Sequence, residues 1–355
     1  MMRLHSLLTL LCAGGLVVSL AACGAIHQGP ISDHFDGERF FNPGKPMNKS
    51  FATFLKWRLT SERRYWPEYR DLPAYDKPPA RVYGETLRIS WVGHATVLIQ
   101  TEGLNILTDP HWSDRASPLT WIGPRRVHPP GIAFADLPPI DVVVISHNHY
   151  DHLDLATLAR LVDDHHPRII TPLGNEILLR EQGLATNVEA YDWGAEVAVS
   201  ETVAIHLEPM HHWSARGLFD RNKALWAAFT ITTPSGNIYF VGDTGYGNGD
   251  YFRAAKDKYQ HFRLAILPIG DSDPRWFMAY GHMGPVEAVQ AFEDLGRPFV
   301  VPTHHRTFPL ADTGYEQPLT ELHQAIVGNE AAKTRIIPLA IGESREIPRR
   351  PPDLP

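Results

Sequence analysis

Cysteine is almost missing from this chain: its 355 residues include two, Cys12 and Cys23, both near the start. A chain with no cysteine beyond that point has no disulfide, no thiolate nucleophile and no sulfur ligand for a metal. An excess of positive charge is missing too, since Lys+Arg number 33 against Asp+Glu 40 and the formal net charge is -7. That balance argues against a polyanion held by bulk electrostatics, so nucleic acid is not an expected partner. After residue 85 there is no linker, internal repeat or low-complexity tract, and the only long apolar run lies before residue 23. The length would allow two average domains, but one catalytic domain over residues 86–355 is the economical reading.

The opening reads Met1-Met2-Arg3, then a largely apolar run from Leu7 to Ala22, then Cys23. Short and basic at its front, residues 1–22 read as a secretory signal peptide rather than a membrane span. Their end, Leu20-Ala21-Ala22-Cys23-Gly24, resembles the lipobox of bacterial lipoproteins, whose cysteine is lipidated and begins the mature chain. The resemblance implies a lipid anchor at Cys23 and a place in the bacterial cell envelope. Gly24, where some retained lipoproteins carry an acidic residue, favours the outer membrane. A plain leader with an incidental cysteine is the alternative. Residues 23–85, rich in proline and aromatic residues, read as an N-terminal arm lying on the core. Within it Phe51, Phe54, Leu55 and Leu59 recur at helical spacing among Lys56, Arg58, Arg63 and Arg64. Such a basic amphipathic helix either packs its apolar face on the core, the preferred reading, or meets an anionic membrane surface.

From Leu87 the text turns strand-like. Runs at 87–91, 95–100 and 105–108, separated by glycine, predict an antiparallel meander. Asp141 to Ser146 has no polar alternation, which predicts a strand buried on both faces, and helical periodicity follows over 153–162. Further strands are predicted at 168–171, 203–207, 227–232, 238–241, 264–268 and 299–302. Helices are predicted at 174–183, 249–258, 285–295 and 318–327.

Histidine, with 19 copies, is the outlying count, and its densest cluster is His147-Asn148-His149-Tyr150-Asp151-His152, directly after the buried strand. Imidazole nitrogen with carboxylate oxygen, and no thiolate, suits Zn, Mn or Fe. Alternate residues leaving a strand point the same way, so His147 and His149 can grip one ion while Asp151 and His152 start a second site. The competing reading, a loop cluster without metal, would leave these groups repelling one another on protonation. Remaining ligands must come from beyond other strand ends: His211-His212, Asp243 and His304-His305. Asp243 stands in Gly242-Asp243-Thr244-Gly245, where glycine permits close backbone approach and a carboxylate can bridge two cations. An aspartate merely capping a turn is the alternative there. One member of each histidine pair is a satisfied bystander, and local sequence does not say which.

Trp91-Val92-Gly93-His94-Ala95-Thr96, Thr108-Asp109-Pro110, Gly123-Pro124-Arg125-Arg126, the 146–152 loop, His212-Trp213, Gly242-Asp243-Thr244-Gly245-Tyr246, Pro268-Ile269-Gly270, Pro274-Arg275-Trp276-Phe277-Met278, Thr307-Phe308 and Gly342-Glu343-Ser344-Arg345 together resemble a known family. They are similar to the metallo-β-lactamase-fold hydrolases, and among them to the N-acyl phosphatidylethanolamine-hydrolysing phospholipases D. The resemblance implies an α+β fold, the αβ/βα four-layer sandwich, and two Zn²⁺ per chain. It implies His147, His149 and His212 as ligands of one zinc, Asp151, His152 and His304 of the other, and Asp243 bridging. It also implies Asp109 as the carboxylate orienting a ligand imidazole, and His282 as a pocket histidine touching substrate. The chain departs from the animal enzymes at Met210-His211 and His305-Arg306, beside ligands, which bears on substrate shape. For His94, core and site are equally open.

A metal pair suits phosphodiester hydrolysis, because it supplies a nucleophile near neutral pH and stabilises attacking and leaving oxygens. Asp151 and Asp243 are the expected orienting carboxylates, and either His282 or a metal-bound water is the candidate acid. The expected substrate is a membrane phospholipid, N-acyl phosphatidylethanolamine first, with Arg275 and Trp276 beside its phosphate and acyl chain. A lactonase, another ester hydrolase or a soluble phosphodiesterase on the same fold is the first alternative. A non-catalytic, metal-binding envelope lipoprotein is the second.

Overall fold

Apolar runs bounded by turn residues become strands here because two sheets bury them from both sides. The computed structural model describes residues 27–44, 50–184 and 187–349, so the expected leader and Cys23 lie outside the described residues. Through residue 200 the elements are α1 (Phe51–Thr60), β1 (Leu87–Gly93), β2 (Thr96–Thr101), β3 (Leu104–Thr108), β4 (Val142–Val144), α2 (Leu155–His165), β5 (Arg168–Pro172), α3 (Asn175–Glu181), β6 (Val188–Tyr191) and β7 (Glu196–Ala198). There follow β8 (Ala204–Glu208), β9 (Ala228–Thr232), β10 (Asn237–Phe240), α4 (Asp250–Tyr259), β11 (Phe262–Pro268), α5 (Arg275–Met278), α6 (Pro285–Asp294), β12 (Phe299–Thr303), α7 (Gln317–Ala325), α8 (Glu330–Arg335) and β13 (Ser344–Glu346).

Among the described residues one sheet runs β13-β1-β2-β3-β4-β5-β6 and the other β12-β11-β10-β9-β8-β7. β1 to β3 form the antiparallel meander, and β4 and β5 continue it in parallel. Between the sheets Ile89, Val97, Ile106 and Val144 meet Ile205, Phe229, Phe240 and Ile266. Leu158, Leu161 and Leu179 of α2 and α3 cover the outer face of the first sheet against Val143 and Ile169. Phe252, Phe292 and Leu322 of α4, α6 and α7 cover the second against Tyr239, Ala265 and Leu267. Helix, sheet, sheet, helix is the expected αβ/βα sandwich, with each fully buried Leu, Ile or Phe stabilising it by about 1.5–3 kcal/mol. Elements that the pattern did not announce, β6, β7, β13, α5 and α8, are too short for a period to show.

The arm is tied in at several points. Phe35 and Phe40 are buried in the same core as Trp226, and the Phe40 amide donates to the Asn222 carbonyl at 2.8 Å. In α1 one reading needs correction. The face formed by Phe54, Leu55 and Leu59 does not pack on the core, being 44%, 46% and 77% exposed. Trp57 makes the contact instead, its ring stacked 5.0 Å from that of Phe277. No helix among the described residues is long and apolar enough to cross a membrane.

Candidate metal centre

Every group of the centre except His282 follows the end of a strand, so the sheets deliver distant residues to one rim. His94 follows β1, Asp109 β3, the 147–152 loop β4, His212 β8, Asp243 β10, Asp271 β11 and His304 β12. His147 Nε2 lies 2.9 Å from His149 Nδ1, which lies 3.2 Å from His212 Nε2. Asp151, His152 and His304 form a second convergent group with His94. Asp243 Oδ2 stands 3.2 Å from His152 Nε2, 3.0 Å from His304 Nε2 and 4.0 Å from His212 Nε2, and so faces both groups. Of the two histidine pairs, His212 and His304 enter the cluster. His211 lies against the Tyr251 ring at 4.4 Å and His305 against Trp91 at 4.6 Å.

Outer nitrogens are held by the fold. His152 Nδ1 donates to Asp109 at 2.7 Å, and Ser146 Oγ, 2.9 Å from His147 Nδ1, donates to the same carboxylate at 2.6 Å. Asp109 therefore orients one imidazole of each group. Ser146 sits so close to Gly242 that a Cβ there would stand 2.5 Å from its own Cβ, which explains glycine before Asp243. His212 Nδ1 donates to the Gly281 carbonyl at 2.9 Å. His304 Nδ1 lies 3.2 Å from Asp271 Oδ2, a partner the sequence reading missed. A signal existed: Gly270-Asp271 after β11 repeats Gly242-Asp243 after β10, and a Cβ on Gly270 would stand 1.7 Å from the His304 carbonyl oxygen. His94, left open by the sequence, brings Nε2 to 2.8 Å from Asp151 Oδ2. Arg216 straps the loop, Nη1 donating to the Asn148 and Leu153 carbonyls at 2.9 and 2.8 Å.

Electrostatics divide the histidines. Burial pushes His149 down to about 4 and holds His147 and His212 well below the usual range, so these three are neutral and can ligate. Burial would lower His152 and His304 as well, but Asp243, Asp151 and their outer carboxylates outweigh it and raise both. For Asp151 and Asp243 burial opposes ionisation, yet the neighbouring imidazoles hold both carboxyls well below the ordinary value. Buried carboxylates of this kind demand positive charge, as protons on His152 and His304 or as cations. His152 Nε2, His304 Nε2 and Asp243 Oδ1, all turned into the cluster, are buried without a hydrogen bond, the condition of a donor set that fits metal. Asp271→Asn is expected to weaken metal affinity about 10- to 100-fold. Titration against a chromophoric chelator reads this; unchanged affinity would remove Asp271 from the centre.

The expected substrate residues fare differently. His282 reaches the cluster, with Nδ1 3.6 Å from Asp243 Oδ2. Trp276 is half-exposed, with Lys56 Nζ 5.0 Å over its ring. Arg275 is engaged within the fold: Nη2 bonds both Glu287 oxygens at 2.6 Å and Nη1 donates to the Ser272 and His282 carbonyls. Its charge is matched by Glu287, and it holds the His282 turn.

A two-sheet sandwich with these histidines and aspartates on one rim is that of a metal-dependent hydrolase. Residues 104–305 match the family model of the beta-lactamase superfamily domain. An uncharacterized protein of Mycobacterium tuberculosis is 40% identical over 280 residues, 78% of this chain and 74% of that one. The N-acyl-phosphatidylethanolamine-hydrolyzing phospholipase D 1 of Caenorhabditis elegans is 36% identical over 265 residues, 72% of this chain and 74% of its own. In fold the chain is similar to Igni18, a metallo hydrolase of the archaeon Ignicoccus hospitalis, with a TM-score of 0.57 at 23% identity over 75% of this chain and 100% of that one. The chain belongs to the beta-lactamase superfamily of metal-dependent hydrolases, in the family that includes that nematode phospholipase.

Proposed function

We propose that this hydrolase holds two zinc ions and cleaves the phosphodiester of N-acyl phosphatidylethanolamine, giving N-acylethanolamine and phosphatidate. The observation that carries the reading is Asp243, whose carboxylate faces two adjacent donor sets. His147, His149 and His212 would hold one ion, Asp151, His152 and His304 the other, and Asp243 both. Bound there, a metal pair supplies Lewis acidity at the attacking and leaving oxygens. Asp151 and Asp243, kept ionised by their neighbours, accept hydrogen bonds from the attacking water and orient it. Water oxygen bonds to phosphorus, the bond to the ethanolamide oxygen breaks, and that oxygen takes a proton that the His282 imidazole, 3.6 Å from Asp243, would supply. The activity that the nematode relative is named for supports this substrate, and the expected anchor at Cys23 would put the enzyme on the membrane that contains it.

A lipid substrate also suits the rim. Leu218 and Phe219 are 90% and 72% exposed at the tip of a loop flanked by Arg216 and Arg221. Asp220 closes that loop by accepting from the amides of Arg216 and Gly217 at 2.9 and 2.8 Å. Replacing both tip residues with serine is expected to slow hydrolysis on anionic vesicles roughly tenfold or more, since each buried Leu or Phe contributes about 1.5–3 kcal/mol. Turnover of a soluble phosphodiester should not change, and a loss on both substrates would refute the membrane contact. The substrate itself is tested in mixed micelles by comparing this lipid with unacylated phosphatidylethanolamine. Chelator-sensitive release of N-acylethanolamine is expected; equal rates on both lipids, or cleavage of lactones alone, would move the enzyme to other esters.

A further inference from the structure

We infer that Asn42, carried by the N-terminal arm, is a positioning residue of the metal centre, acting through His212. The arm lies outside residues 104–305, so the matched superfamily domain does not contain this group. Asn42 is buried, and its amide joins three separate segments. Nδ2 donates to the His212 carbonyl at 3.0 Å and to the Tyr280 hydroxyl at 2.7 Å. Oδ1 accepts from Trp226 Nε1 at 3.2 Å, and that indole also donates to the Met210 carbonyl at 3.0 Å. Because an indole nitrogen only donates, the amide has one orientation, with its NH₂ toward His212.

The consequence is a closed frame around one imidazole. The His212 ring is aimed by the Gly281 carbonyl, and its backbone is tied by Asn42 to Tyr280, the residue before Gly281. One amide thus locks the turn carrying the ligand to the turn that aims it. Its anchorage is independent of the centre, through Phe35 and Phe40 in the core and the Phe40 amide on Asn222. His152 and His304 are oriented by Asp109 and Asp271, with no contribution from the arm.

The inference rests on the metal-centre reading above and predicts an asymmetric defect. Asn42→Asp keeps the size of the side chain but turns an oxygen lone pair toward the His212 carbonyl. In the full chain, two-step titration with Co²⁺ against a chromophoric chelator should show one of the two ions weakened about 10- to 100-fold, the range for lost outer partners. The other ion should keep its affinity, and the Co²⁺ absorption bands of the weakened site should change. Tyr280→Phe, which removes one acceptor of the same amide and spares the packing, should weaken the same ion to a smaller extent. A lower Tm with both affinities unchanged, or equal weakening of both ions in both variants, would overturn the inference and leave Asn42 structural. If the wild-type chain takes up two ions and neither variant differs from it, this inference alone fails. If the wild-type chain binds none, the metal-centre reading fails with it.

Discussion

Asp243→Asn is expected to lose metal and turnover together, with turnover falling by more than the ~100-fold that loss of an outer partner can cost. Its Oδ2 lies 3.0 Å from His304, 3.2 Å from His152 and 4.0 Å from His212, while Oδ1 is buried without a hydrogen bond. Asp151, by contrast, lies with His94, His152 and His304 alone. Asparagine preserves volume but removes the negative charge that cations, or the protons on His152 and His304, must balance. Metal content and turnover measured on one preparation decide the matter. Full activity with full metal would sink the shared role of Asp243, whereas loss of a single ion with partial activity would confine it to one site.

Stripping metal with a tight chelator should abolish turnover and lower Tm by roughly 5–15 °C. A ligand at a thousand times its Kd adds about 4 kcal/mol to the folded state, and 1 kcal/mol is worth about 2–4 °C in chains of 150–250 residues and less in larger ones. The shift should depend on pH, in a direction set by His152 and His304, whose folded-state pKa values are raised by the surrounding carboxylates once these outweigh burial. A raised histidine contributes stability that is fully present below the unfolded value near 6.5 and is lost as pH rises through the folded one. Above about pH 6.5, where the lowered His147, His149 and His212 are neutral in both the folded and unfolded chain, the stripped protein therefore weakens toward higher pH, and the gap from the loaded protein widens. Scanning calorimetry of both forms across neutral pH measures it; equal Tm values would mean that no ion is held.

Much of the centre was legible because its densest part is local. Three histidines and an aspartate within six residues after an apolar run, and a glycine-aspartate turn after another, declare a ligand set without any knowledge of packing. Strand periodicity likewise placed the meander and the buried β4. Illegible features were those whose meaning depends on a partner far away in the chain. Asp271 is an ordinary turn aspartate until β11 and β12 lie side by side and bring it to His304. Asn42 sits in an arm that reads as packing, and its contact with His212 spans 170 positions. In α1 the apolar stripe of Phe54, Leu55 and Leu59 stays exposed, while Trp57 faces inward because Phe277 of α5 is there to stack on its ring.

By itself the sequence determined the chemistry available to this protein: nitrogen and carboxylate donors without thiolate, strands and helices in an order that two stacked sheets can use, and glycine where the backbone must come close. Those are properties of side chains and of short-range periodicity, so they survive without coordinates. Tertiary structure decided which lone pairs converge, which histidine of each pair turns inward, which carboxylates orient the ligands and which charged groups are engaged with one another, as Arg275 and Glu287 are. Such choices turn on a few ångströms between strand ends that are hundreds of residues apart, a distance over which the linear pattern holds no directional information until packing closes it.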